Sequence, residues 1–204
     1  MMDIPPVNLS HLRALTDHTG LLQHSKYGVP NPRFGYTTDD NLRALLVATR
    51  SYELIGDDTA LDLARTYMSF LHWMQRDDGL FHNEMSYDRR FMDDVGSLAC
   101  QARAVWALST AAVSTLPQSI RNAAFYLLQR IPLKAIELYT SIHVPSFIIY
   151  GLGELRERQS ALQQMEIPAH SDWEDVLWEA ADALVEMYAR YSDENWRWFL
   201  PEMT

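Results

Sequence analysis

Apolar positions recur at helical spacing along most of the chain. Between Thr38 and Ile55 they fall at Leu42, Leu45, Leu46, Ala48 and Tyr52, one face of a helix. Thr38 reads as the N-cap of that helix, Asp39 and Asp40 occupy its first turn, and Gly56 stops it. A second helix is expected from Ala60 to about Gln75, capped by Asp57 or Asp58. Its core side is Leu61, Leu63, Ala64, Tyr67, Met68 and Leu71. Further helices are predicted over Ser97–Ser114, over Gln118–Ile131 behind Pro117, over Pro145–Arg158 and over Asp172–Tyr191. The last has Val176, Leu177, Ala180, Ala183, Leu184 and Met187 facing inward. A short one lies within Asn8–Thr16. The Ser97–Ser114 segment carries Ala99, Ala102, Ala104, Ala107, Ala111 and Ala112, small side chains that let neighbouring helices approach closely. Gly151 and Gly153 imply tight packing in the Pro145–Arg158 helix. No alternating run predicts a sheet; Leu80-Phe81-His82 is expected to be briefly extended.

The long polar connector Arg76–Asp94 interrupts this pattern and resembles two other stretches. Asp17-His18-Thr19-Gly20-Leu21-Leu22-Gln23-His24 is echoed by Asp77-Asp78-Gly79-Leu80-Phe81-His82-Asn83, and both by Asp193-Glu194-Asn195-Trp196-Arg197-Trp198-Phe199. Glu84-Met85-Ser86 is echoed by Glu202-Met203-Thr204. The first two copies lie about 60 residues apart, the length of one helical hairpin plus a loop. Stacked α-hairpins would gather these loops along one rim. The 204 residues are expected to form a single domain, 1–204.

Charge and composition narrow the function classes. The net charge is −10 and no Lys/Arg cluster is present, which disfavours nucleic acid. Cys100 is the one cysteine, so no intrachain disulfide forms, which fits a reducing compartment. No cofactor motif and no zinc-ligand spacing is found, so neither cofactor nor metal is expected. With neither a signal peptide nor an apolar run long enough to span a bilayer, no membrane association is expected, and the simplest address is cytoplasmic.

The loop blocks carry a family resemblance. His11-Leu12, Leu15 to His24 and Gly35-Tyr36-Thr37-Thr38-Asp39-Asp40-Asn41-Leu42-Arg43-Ala44-Leu45 form the first block. Tyr87-Asp88-Arg89-Arg90, Asp94-Val95-Gly96-Ser97, Arg103-Ala104 and Trp106-Ala107-Leu108 form the second, and Trp196-Arg197-Trp198-Phe199 the third. Together they resemble an α/α-toroid domain of the six-hairpin glycosidase-like class, found alone or fused to bacterial glycosyltransferases. The resemblance implies an all-α fold of antiparallel helical hairpins in a partial (α/α)6 toroid. A closed ring would need on the order of 350 residues at this period. The chain has room for three to four hairpins, and a homodimer or a partner segment is expected to cover the open end. Where the family is usually polar after Gly-Ser, this chain has Leu98-Ala99-Cys100-Gln101.

The expected ligand is a carbohydrate. Asp39, Asp40, Glu84 and Asp94 are the candidate catalytic carboxylates, with Asp88 and Asp93 beside them. Glycoside cleavage needs one carboxyl to protonate the leaving oxygen and another to activate water or attack, about 5 Å or about 6.5–9.5 Å apart. Capping explains acids in a first helical turn equally well. Candidate binding residues are His24, Arg33, Tyr36, Asn41, His82, Tyr87, Asp88, Arg89 and Trp198: aromatics suit the apolar faces of sugar rings, and polar groups suit hydroxyls. Arg89-Arg90 either binds an anion or neutralises the nearby acids. His11, His18, His72, His143 and His170 read as structural, and Cys100 as buried and inert. Two functions stand: glycoside processing through a carboxylate pair, or a non-catalytic carbohydrate-binding or scaffold module.

Overall fold

The computed structural model describes residues 7–158, 160 and 171–192, and these are mostly helical. After the short α1 (Ser10–Ala14) come α2 (Thr38–Ile55) and α3 (Asp58–Met74), then α4 (Leu98–Ala112) and α5 (Gln118–Leu128), then α6 (His143–Glu157) and α7 (Ser171–Tyr191). Four two-residue strands sit in the connectors: β1 (Ser25–Lys26) pairs antiparallel with β2 (Val29–Pro30), and β3 (Tyr36–Thr37) with β4 (Glu84–Met85). No described helix is long and apolar enough to cross a membrane.

Helix ends follow the local chemistry. The N-cap of α2 is Thr37, one residue before the expected Thr38. The Thr37 Oγ1 accepts the Asp40 N–H at 3.2 Å and donates to the Asp40 carboxylate at 2.7 Å, a reciprocal cap. Thr38 is instead the first helical residue, fully buried, its hydroxyl donating to the His82 carbonyl. Gly56 ends α2 in the left-handed region at φ 64°, where glycine avoids the Cβ penalty, and Asp57 caps α3.

The helices pack in two rows. Helix α4 lies against both α2 and α6, while α3, α5 and α7 pack on α2, α4 and α6 respectively. The alanines of α4 account for this, because Ala102, Ala104, Ala107, Ala111 and Ala112 are fully buried among these neighbours. A Cβ on Gly151 would stand 2.8 Å from the Trp106 backbone, so α6 crosses α4 at a distance only glycine allows. Gly153 meets nothing and has no such role. One apolar core runs through the six long helices of the described residues, from Leu42 and Leu71 through Leu108 and Leu127 to Ile148 and Ala180.

The first two hairpins carry matching contacts sixty positions apart. Each has a hydroxyl N-cap, Thr37 and Ser97, on the helix of the inner row. Each has a buried amide one turn later that grips the preceding loop. The Leu21 N–H donates to the Asn41 Oδ1 (2.8 Å), and the Asn41 Nδ2 donates to the carbonyls of Leu21 (3.3 Å) and Thr37 (2.8 Å). Likewise the Phe81 N–H donates to the Gln101 Oε1 (2.8 Å), and the Gln101 Nε2 donates to the carbonyls of Phe81 (2.9 Å) and Gly96 (3.1 Å). These clips satisfy backbone groups that would otherwise be buried unpaired. Gly96 and Gly20 are needed beside them, since a Cβ on Gly20 would stand 2.7 Å from the Asn41 Oδ1.

Candidate functional site

The two long connectors meet on the rim formed by the N-terminus of α2 and the C-terminus of α3. Strand β4 of the second connector pairs with β3 of the first. The same connector supplies partners for the free amides of α2: the Thr38 N–H donates to the Asn83 carbonyl at 2.7 Å and the Asp39 N–H to the Asn83 Oδ1 at 3.1 Å. Gly35 makes the closest pass. It sits at φ 66°, and a Cβ there would fall 2.1 Å from the Met85 carbonyl oxygen. The start of the next connector joins the same rim, where Arg130 donates to the Arg76 carbonyl at 3.2 Å and Gln75 to the Leu127 carbonyl at 2.8 Å.

A pocket of about 250 Å³ opens between these connectors and α3, lined by His18, Thr19, Ser69, Phe70, Trp73, Met85 and Arg89. Phe70 and Met85 are buried, while Trp73 is 60% exposed. Behind Phe70 lies Tyr36, 1% exposed, its hydroxyl donating to the Asp17 Oδ2 at 2.6 Å. Burial and that acidic acceptor push its phenol well above the ordinary range, so it stays neutral. Asp17 also accepts the Thr19 N–H (2.7 Å) and the Gly20 N–H (3.2 Å), which fixes the turn carrying His18 and Thr19.

The expected site residues divide into three groups. Arg89 lines the pocket, and Tyr87 stands near it, stacked on Tyr36 with ring centroids 6.2 Å apart. A second group is spent on the scaffold. Asn41 is fully buried with its amide committed to backbone. His82 stacks on Phe91 at 4.1 Å and donates from Nδ1 to the Asp93 carbonyl. Asp93 accepts the N–H groups of Asn83 (2.8 Å) and Glu84 (3.0 Å). Asp88 bonds Ser86 and pairs with Arg90 at 2.9 Å; the Ser86 hydroxyl, with Arg90 in support, holds its carboxyl below the usual range. The third group lies outside the pocket. His24 packs edge-on against Phe34, Arg33 is exposed, and Tyr27 projects from the tip of the β1–β2 hairpin. Trp198, Trp196 and the rest of the third loop copy fall outside the described residues.

None of the four candidate catalytic carboxylates is among the described residues that line the pocket. Asp39 is clamped between two arginines, the Arg43 Nη2 at 2.7 Å and the Arg103 Nε at 2.5 Å. Asp40 receives the Thr37 hydroxyl. Glu84 and Asp94 are exposed; the Glu84 backbone is held by Asp93, and the Asp94 carbonyl by Arg76. Cys100 is buried beneath Asp39, and burial, helped by that carboxylate, pushes its thiol up, so it is unreactive. No group of three or more His, Cys, Asp or Glu among the described residues is arranged to hold a metal ion.

Sequence reasoning passed over Trp73, Phe70, Ser69 and Thr19, and treated His18 as structural. A signal existed for Trp73: it departs from the core stripe of its helix, a large aromatic on the polar face one turn before the connector. His18 sits in the repeated turn itself. No family model matches the chain, and none of the curated proteins is similar to it.

Proposed function

We propose that this chain is a carbohydrate-binding helical-hairpin domain, a partial α/α-toroid that holds one sugar unit in the rim pocket and does not cleave it. The observation that carries this reading is the mismatch between pocket and acids. The lining combines an exposed indole, two buried apolar side chains and several hydroxyl or imidazole groups, which suits the apolar face and hydroxyl edge of a sugar ring. Hydrolysis would need two carboxyls facing the scissile bond, whereas Asp39 and Asp40 serve a guanidinium pair and a helix cap. The pocket, about 250 Å³, lies at the small end of ligand sites, a size that suits a single sugar unit.

The test is calorimetric titration of a mannoside and glucoside panel. Binding is expected without turnover; Trp73→Ala abolishes it, and Asp40→Asn leaves it unchanged. Turnover lost in Asp40→Asn or Glu84→Gln would establish the second reading, glycoside processing. That reading draws on one observation: Thr37 pairs with Glu84 across β3–β4, so Asp39, Asp40 and Glu84 stand on one edge.

A further inference from the structure

We infer that the rim pocket takes an acidic glycoside, one bearing a phosphate or a carboxylate, and that Arg89 is the residue that recognises the acidic group. This rests on the reading of the pocket as a sugar site, and it goes further by naming the chemistry of the ligand.

Three observations converge on Arg89. The first is its charge. Arg90 takes Asp88, Arg103 and Arg43 take Asp39, and Arg76 takes Asp78, each a guanidinium matched to a carboxylate. Arg89 has no such match among the described residues. Its contacts are the His18 Nε2 at 2.6 Å and the Thr19 Oγ1 at 3.2 Å, both of which also line the pocket. A guanidinium needs acceptors for five N–H groups, and one imidazole nitrogen and one hydroxyl satisfy only part of that demand. Arg89 is the one Lys or Arg among the described residues of the pocket lining, and it faces that pocket with no carboxylate of the described residues paired to it.

The second is backbone conformation. Residues Ser86–Arg90 form a tight hairpin turn: the Arg89 N–H donates to the Ser86 carbonyl at 2.9 Å, the Ser86 N–H to the Arg90 carbonyl at 2.9 Å, and Met85 bridges Phe91. The loop is Tyr87-Asp88-Arg89, a three-residue turn whose last position requires the left-handed region, and Arg89 sits there at φ 65°. Glycine or asparagine is the residue such a position selects, since a Cβ is penalised there. Arginine is a poor local choice. An arginine kept at such a position, with its side chain in the pocket lining, points to a role beyond the turn.

The third is access. Arg89 and Trp73 are both exposed and line the same pocket. A sugar stacked on the indole would bring a substituent to the guanidinium, which binds phosphate or carboxylate in a forked, bidentate geometry.

The experiment titrates the full chain and its R89G and W73A variants with glucose and mannose, their 6-phosphates, glucuronate and inorganic phosphate. At least one acidic sugar is expected to bind tenfold or more tightly than its neutral parent. Comparing the 6-phosphates with glucuronate tells which acid is read. R89G is expected to lose that preference while melting at a higher temperature than wild type, since glycine relieves the turn. W73A is expected to lose all sugar binding. Neutral and acidic sugars binding equally, or R89G keeping the preference, would overturn the inference and leave the sugar site standing. Inorganic phosphate binding through Arg89 with no sugar bound would overturn the sugar site and leave an anion site. Silence from all ligands would overturn both.

Discussion

The first and second hairpins share a scaffold and differ in what they mount on it. At matching positions, Thr37 and Ser97 cap, Asn41 and Gln101 clip the preceding loop, and Arg43 and Arg103 follow two residues later. Between cap and clip the first unit has Asp39 and Asp40, the second Ala99 and Cys100. Both arginines converge on Asp39, the Arg43 of its own helix and the Arg103 of the next. The second unit, lacking the acid, has nothing to offer a third arginine; Arg103 instead lies over the Phe147 ring of α6, 4.2 Å from its centroid. Asp39 is therefore a joint between the first two units, and the amide clip is what the fold repeats. The opposite ends differ in the same way. Glu53 of α2 pairs with Arg50 and Arg158, while its counterpart Val113 offers Arg158 only a carbonyl.

The clip variants should have the largest effect. Gln101→Leu leaves the buried Phe81 N–H and C=O without their amide partner, and Asn41→Leu does the same to the part-buried N–H and C=O of Leu21, at about 1–3 kcal/mol per buried group. Denaturant unfolding should show a loss of about 3 kcal/mol or more for each, and similar losses would confirm that the two clips are equivalent. A loss below about 1 kcal/mol at either would break the comparison. Next is the joint. Asp39→Asn removes the charge shared by two guanidinium groups, one of them largely buried, and should cost about 1–2 kcal/mol. Ala99→Asp in the second unit has no such pair of arginines to join and should give no matching gain.

Smaller effects sharpen the contrast. Arg89→Gly is expected to stabilise the fold by about 1 kcal/mol, read as a rise in Tm, because the turn residue it restores is the one φ 65° favours. The joint at the far end predicts a pH dependence. Burial raises the Glu53 carboxyl, but hydrogen bonds from Arg158 and then Arg50 outweigh it, so the folded pKa lies below the ordinary carboxylate value. A depressed folded pKa contributes stability above the unfolded value, near pH 4.3, that is lost as pH falls through the folded one. Wild type should exceed Glu53→Gln in Tm at pH 7, and the gap should close as the pH drops below about 4. A gap that persists at pH 2 would contradict the pairing.

Much of the scaffold was legible. The spacing of Leu42, Leu45 and Ala48, the stop at Gly56, a cap at Asp57 or Asp58 and a helix start near Ser97 gave the helices, because helix period and capping are local chemistry. The 60-residue repeat was visible in the turns around Gly20 and Gly79, and the structure extends it into the helices. There the match of Asn41-Leu42-Arg43-Ala44 to Gln101-Ala102-Arg103-Ala104 was available and unused. Reading Leu98–Gln101 as a departure from a polar pattern hid the role of Gln101, which keeps the amide and drops the acids. The site was less legible. Whether a rim acid faces a cleft, caps a helix or answers an arginine on a neighbouring helix depends on contacts across 64 positions, as between Asp39 and Arg103. Trp73 and Arg89 come together only because the second connector folds back over the end of α3.

The central claim is that sugar meets the molecule in the pocket between those connectors. An amide and indole NMR titration of the full chain with the tightest-binding sugar tests it most directly. Perturbations are expected at Thr19, Ser69, Met85, Arg89 and the Trp73 indole N–H, with the sugar recovered intact. Perturbations centred on Asp39, Asp40 and Glu84, accompanied by cleavage of the glycoside, would contradict it.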